Sequence, residues 1–356
     1  MKRINRIIYK IIYLIPFVFL FCYSVVFSQT PNISKKEFYF MKGSIGGSAI
    51  TMYLYIRGNR ITGKYYYDNI RQFIDIDGSI NGDSFYINEF VGGNKKASLN
   101  GNVTENMFFS GFWVSSDRNN RFNFNFSIND SYSVSKATII NSSLNIDLEG
   151  SGKFESSRDA VVIENQRKSK VLDKISIDVD GVKSLDEDTI AYILNSEIIA
   201  DYNNWKNNLS EETDMTVKRD IKVSYLDDKI ISFSIDNYSY AGGVHGIDTS
   251  VAYIYSIETG NRIGTRLSDL ISNSKDMDLI NLMKNKLLIN YSERDFFDFN
   301  NIELSDTFDI TPTGIKFIYP VYKIADYSKG IIEIEFTFLE LKPFVNSNSP
   351  FFYLFE

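Results

Sequence analysis

Between Glu37 and Asn129 apolar and polar residues alternate with a period of two, and no other feature of the chain limits its fold so tightly. Ile50, Met52, Leu54 and Ile56 interleave with Thr51, Tyr53 and Tyr55. Tyr65 and Tyr67, Ile74 and Ile76, Phe85 and Ile87, and finally Phe122, Phe124 and Phe126 carry the pattern on. A segment of this period buries one face and wets the other, which defines antiparallel strands. Turn-forming clusters separate the runs, among them Arg57-Gly58-Asn59, Asn81-Gly82-Asp83 and Gly92-Gly93-Asn94. Short strands and regular turns, with no stretch of helical period, predict an all-β domain over 37–130, a meander closed into a barrel or a sandwich.

Several pieces of this region resemble a β domain of exported bacterial proteins in which glycines and aromatics recur along successive hairpins. They are Met52-Tyr53-Leu54, Gly63 to Tyr67, Gly78-Ser79-Ile80, Asn88-Glu89 and Gly111-Phe112-Trp113. The resemblance implies a β domain and assigns no activity. Trp113 and the Tyr65–Tyr67 cluster have the chemistry to stack on sugar rings, but such aromatics more often pair across strands or fill a core.

At 356 residues the chain exceeds one compact core, so a second domain is expected. Serines accumulate over 131–157, read as a linker with room for one extra strand at 138–148, and the boundary is placed near residue 157. Residues 158–356 read as α+β, helices packed on an antiparallel sheet. Ile190, Leu194, Ile198, Tyr202 and Trp205 fall on one face of a helix over 188–207 that Asp186 or Asp188 can cap. A second helix covers 274–289 with Ile280, Met283 and Leu287 inward. Strands are expected at 175–179, 221–225, 230–235, 251–256, 315–319 and 331–338.

The N-terminus has the layout of a secretory signal peptide over residues 1–28. Lys2, Arg3, Arg6 and Lys10 precede an apolar run from Ile11 to Phe27, and Val26 and Ser28 stand at the −3 and −1 positions of a cut before Gln29. Uncleaved, the run would be a membrane anchor; cleaved, it leaves no transmembrane span. Cleavage also removes Cys22, the only cysteine, and makes the formal charge of −7 more negative. The expected product is exported, periplasmic or extracellular, with no disulfide or thiolate metal site. Its basic residues are not clustered, so nucleic acid is not an expected partner.

The sole histidine, His245, lies in the run Tyr238 to Gly246 with Tyr240, Gly242 and Gly243. A Tyr-rich strand, the turn Glu258-Thr259-Gly260 and the sequence Leu267-Ser268-Asp269-Leu270 follow it. Phe308 to Phe317, then Tyr322 to Tyr327 and Gly330, come later. Over about residues 170–345 this order resembles the paired extracytoplasmic domains of unknown function of lysozyme-sensing anti-sigma factors. The same domains form the non-catalytic N-terminal region of some peptidoglycan deacetylases. The resemblance implies an α+β module outside the cytoplasm that, in the anti-sigma factors, binds lysozyme. Two departures stand out. Lys323 replaces a residue commonly acidic in the family, and Met1 to Lys10 alone precede the apolar run, where an anti-sigma factor needs a cytoplasmic sigma-binding segment.

The candidate binding residues are therefore Tyr238, Tyr240, Gly242, Gly243, His245, Gly246, Tyr322 and Tyr327. No catalytic residue, cofactor or metal is assigned. Asp236 or Asp248 beside His245 would suit acid–base work, but one histidine without cysteine gives too few soft ligands for zinc. The glycines have a structural use in permitting positive φ, with His245 anchoring the turn through one ring nitrogen. Asp178-Val179-Asp180-Gly181 has its glycine at the wrong position for a calcium loop. The expected function is an exported, non-catalytic envelope binding protein that recognises a basic protein such as lysozyme, or cell-wall glycan. A glycan hydrolase or deacylase using carboxylate pairs such as Glu211-Glu212 or Glu333 and Glu335 is the alternative; a structural envelope scaffold is the third reading.

Overall fold

Period-two alternation folds as expected, into eight antiparallel strands in chain order: β1 (Asn32–Ile45), β2 (Ser48–Arg57), β3 (Arg60–Tyr67), β4 (Ile74–Asn81), β5 (Ser84–Val91), β6 (Asn94–Val103), β7 (Phe109–Ser115) and β8 (Arg121–Ile128). The structure is a computed structural model describing residues 30–128, 136–148, 152–163, 186–208 and 214–356. The expected signal peptide, the strand at 175–179, the Asp178–Gly181 turn and the Glu211-Glu212 pair lie outside those residues. β8 returns to β1, from Met41↔Ile128 to Ile45↔Phe124, and the meander closes as a barrel. Closure forces close strand approach at Gly101 and Gly111, which face each other across β6 and β7. A Cβ on either would lie 1.9 or 2.1 Å from a backbone oxygen of the opposite strand, so only glycine fits.

The barrel interior is apolar, filled by residues such as Met41, Leu54, Ile87 and Phe109. Tyr65 is fully buried there and offers no sugar-stacking face, while Trp113, partly buried, packs against the same core. Their polar ends converge on Glu89, whose Oε1 accepts from Tyr65 Oη and Trp113 Nε1, both at 2.6 Å.

Residues 131–157 depart from the expected linker. The described part holds β9 (Lys136–Leu148) and the start of β10 (Gly152–Ile163), two long paired strands, and β10 runs through the boundary placed near residue 157. Serine disguises them: Ser142 and Ser156 are fully buried, and Ser142 Oγ donates to Asn195 Oδ1 at 2.6 Å beneath a helix. Small hydroxyls fit where a helix packs closely on a sheet; that of Ser142 is hydrogen-bonded, and that of Ser156 is buried without a hydrogen-bond partner among the described residues. β9 pairs with the N-terminal half of β1, Asn32↔Ser143 to Tyr39↔Lys136, so one 14-residue strand belongs both to the barrel and to the sheet beyond it.

The sheet continues through a parallel pair. β10 meets β11 (Met215–Leu226) from Phe154↔Met215 to Arg158↔Arg219, and α1 (Glu187–Asn207) lies on the path between them, as parallel neighbours require. Asp186 caps α1 by accepting from Thr189 N at 2.7 Å, and Ile190, Leu194, Ile198 and Trp205 are buried. β12 (Ile230–Ala241), β13 (Ile247–Ser256) and β14 (Arg262–Ile263) complete a sheet of 14 strands.

A three-stranded sheet, β15 (Phe308–Ile310), β16 (Gly314–Tyr319) and β17 (Ile332–Thr337), packs with α2 (Met277–Asn290) and the single turn α3 (Phe338–Leu341) against one face of β12 and β13. In α2 the buried residues are Leu279, Met283 and Leu287; Ile280 is only partly covered. β12 is consequently buried on both faces over 230–235. Ile230 joins the core with β15–β17, while Ile231, Phe233 and Ile235 join a second core with Phe38, Phe40 and Tyr53 from β1 and β2. The class is α+β, as expected from the grouped elements.

Candidate functional site

β12 and β13 pair from Ile230↔Ser256 to Ser239↔Ile247, and the chain reverses through Tyr240–Gly246. The reversal needs the left-handed region at Gly242 (φ +84°) and Gly243 (φ +102°), where a side chain would be strained. Tyr240 Oη donates to the Gly243 carbonyl at 3.2 Å and braces the turn. Gly246 has a different reason. A Cβ there would lie 2.5 Å from the Tyr238 ring, so its absence seats that ring.

His245 is exposed, and its Nδ1 lies 3.0 Å from the Gly246 carbonyl oxygen. A carbonyl only accepts, so this bond places a proton on Nδ1. The ring-nitrogen anchor read from the sequence is present. The imidazole also stacks on Tyr327 with centroids 3.8 Å apart and planes 21° from parallel.

Tyr327 comes from a distant part of the chain. It opens a single 3-10 turn, residues 327–329, capped by Asp326, whose Oδ1 accepts from Ser328 N at 2.7 Å. Lys329 Nζ fixes the far end on Asp295 Oδ1 at 2.8 Å and holds that carboxyl well below the usual range. Tyr322, exposed and at φ +65°, sets its ring 5.9 Å from that of Tyr327. The Tyr327 phenol is pushed up, first by lost solvation and then by the Asp248 carboxylate, with smaller contributions from Tyr238 and Tyr322. Asp248 is the register partner of Tyr238.

Five of the eight residues singled out in the sequence, Tyr238, His245, Gly246, Tyr322 and Tyr327, thus form one cluster; Tyr240, Gly242 and Gly243 shape the turn that presents it. Val244, fully exposed next to His245, is not among the residues singled out, because nothing in its sequence context marks it. Asp236, weighed as a partner for His245, instead accepts from Lys222 Nζ and Ser250 Oγ, each at 2.6 Å. Glu333 pairs with Lys316 at 3.0 Å, and Glu335 accepts from Thr311 at 2.5 Å and Thr313 at 2.7 Å. Among the described residues no three His, Cys, Asp or Glu side chains gather closely enough to hold a metal ion. What the cluster offers is an exposed aromatic surface, an imidazole and a carboxylate. That chemistry stacks and hydrogen-bonds.

An antiparallel barrel continued into an α+β layer that displays an aromatic hairpin tip defines the class. Two family models match consecutive parts of it: "Deacetylase PdaC" over residues 149–248 and "Protein of unknown function (DUF3298)" over residues 265–338. The paired domains read from the sequence are present. Among solved structures, a member of the DUF3298 family from Bacteroides fragilis is 16% identical, covering 64% of this chain and 99% of its own, with a TM-score of 0.48. A DUF3298 family protein from Pseudomonas aeruginosa is 15% identical, covering 58% and 94%, with a TM-score of 0.40. No curated protein matches.

Proposed function

We propose that this is an exported, non-catalytic envelope protein that recognises a macromolecule through the β12–β13 tip, with a basic protein of the lysozyme type as first ligand and cell-wall glycan as second. The observation that carries the reading is the His245–Tyr327 stack beside exposed Tyr322 and Val244, on a turn shaped by two glycines at positive φ. Exposed tyrosines on a rigid support give large contact area at little conformational cost, a pattern typical of recognition surfaces. The acidic balance of the chain favours a basic partner and acts mainly on the association rate. The N-terminal basic and apolar segments support export, and among the described residues no helix is long and apolar enough to cross a membrane.

Calorimetric titration of the mature chain with a lysozyme and with soluble peptidoglycan fragments tests the proposal. Binding is expected, and Tyr327→Ala should weaken it at least about tenfold, or about 1.4 kcal/mol. Silence with both ligands discards the reading, and release of product from the fragments would favour the hydrolase.

A further inference from the structure

β10 and β11 stop pairing after Arg158↔Arg219, and beyond that point each follows its other neighbour. Asp159 spans the opening: its Oδ2 accepts from Ile221 N at 3.1 Å and its Oδ1 from Asn141 Nδ2 at 2.8 Å. The splay leaves a cleft of about 400 Å³ between β1, β2, β9, β10 and β11. Beside it, the Tyr55 hydroxyl donates to the Val223 carbonyl.

Three cations line this cleft; Lys222 is paired with Asp236 at 2.6 Å, and the other two come from neighbouring strands. Glu37 pairs with Ile56, which puts Lys36 and Arg57 next to each other in register. The Lys36 ammonium lies 4.2 Å from the Tyr55 ring centroid, and Arg57 Nη2 donates to Ser34 Oγ at 3.2 Å. Among the described residues neither forms an ion pair with a carboxylate. Burial pulls the Lys36 ammonium down, with Arg57 and Lys222 adding to the effect against Asp159 and Asp220. Like charges on adjacent strands repel, and one anion between them would relieve both.

The remaining lining selects the kind of anion. Ser143, Asn145 and Ser157 present hydroxyls and an amide, suited to a polyhydroxylated ligand. Asp159, Asp220 and Glu155 also face the cleft, and they disfavour a doubly charged phosphate more than a singly charged carboxylate. The volume is that of a small ligand. We propose that this cleft binds a carboxylated monosaccharide, its carboxylate between Lys36 and Arg57 and its hydroxyls along the β9–β10 wall.

None of the hairpin-tip residues lines the cleft, so this site stands or falls separately from the recognition surface. The test is titration of the full chain at low salt with D-glucuronate, D-glucose and inorganic phosphate. Glucuronate should bind at least about tenfold tighter than either of the others, and Lys36→Gln or Arg57→Gln should bring it down to the level of glucose. Tyr327→Ala should leave glucuronate binding unchanged. Equal binding of glucose, tighter binding of phosphate, no binding of glucuronate, or full affinity in both cation variants on a folded background each overturns the assignment.

Discussion

Single residues show where chemistry and position part company. On β5 the residues facing the barrel interior are Phe85, Ile87 and Glu89, so the parity of the strand points inward at a carboxylate. The alternation made that face legible; the acid on it was not, because a Glu beside Asn88 looks like a solvated pair until Tyr65 and Trp113 are seen to donate to it. Burial raises the Glu89 carboxyl above its ordinary value of 4.5. Above that value the unfolded chain has lost a proton that the folded chain still holds, so this residue makes stability fall as pH rises toward neutral. Glu89→Gln keeps Oε1 as acceptor and removes the titration. Urea denaturation across that pH interval should show a flatter dependence for the variant; an unchanged slope refutes the assignment. Glu89→Leu should instead lose about 1–3 kcal/mol by stranding the buried Tyr65 hydroxyl and the half-buried Trp113 N–H. His245 behaves oppositely. It is exposed and held by one turn bond and one stack, so His245→Ala should lower stability by no more than about 1.5 kcal/mol. A larger loss would make the imidazole chiefly a turn anchor.

At the scale of elements, what the sequence revealed depended on how many faces an element buries. The barrel strands bury one face and announce themselves by alternation, and α1 announces itself at helical spacing. β9 and β10 bury both faces at 137–140 and 160–163 and only one face elsewhere, with Ser, Asn and Thr mixed into the pattern, so period two is blurred and the stretch reads as linker. The polar face of α1 is equally hidden. Arg158 and Arg219, direct partners across the parallel pair, both turn toward α1; Arg158 meets Glu197 Oε2 at 3.2 Å and Asp201 Oδ2 at 2.5 Å, and Glu197 lies 3.7 Å from Arg219. Two arginines side by side under a helix are tolerable only with these acids above them. Glu197→Ala should therefore destabilise the fold by about 1–3 kcal/mol, more than a surface pair would. Thermal melts of Glu197→Ala against Lys153→Ala, whose partner Asp147 is well exposed, make the comparison, and equal small shifts would reduce the cluster to surface decoration.

The whole molecule behaves as its longest strand dictates. The sequence reads as two units meeting near residue 157, but β1 lends its C-terminal half to the barrel and its N-terminal half to β9, and β10 passes through the dividing point. The aromatic core formed by Phe38, Tyr53, Phe233 and Tyr255 draws on both sides of that point. Residues that share one core lose their burial together, and a strand shared by two sheets cannot leave one without disturbing the other. Barrel and α+β layer should therefore unfold in one transition, despite a length at which separate domains are usual. Phe38→Ala, at the centre of the shared core, should remove about 3–5 kcal/mol and move the whole transition. Calorimetry decides the matter: a van't Hoff enthalpy close to the calorimetric one supports a single unit. Two resolved peaks, with Phe38→Ala shifting only one, would mean that the barrel melts independently and β1 frays at its midpoint.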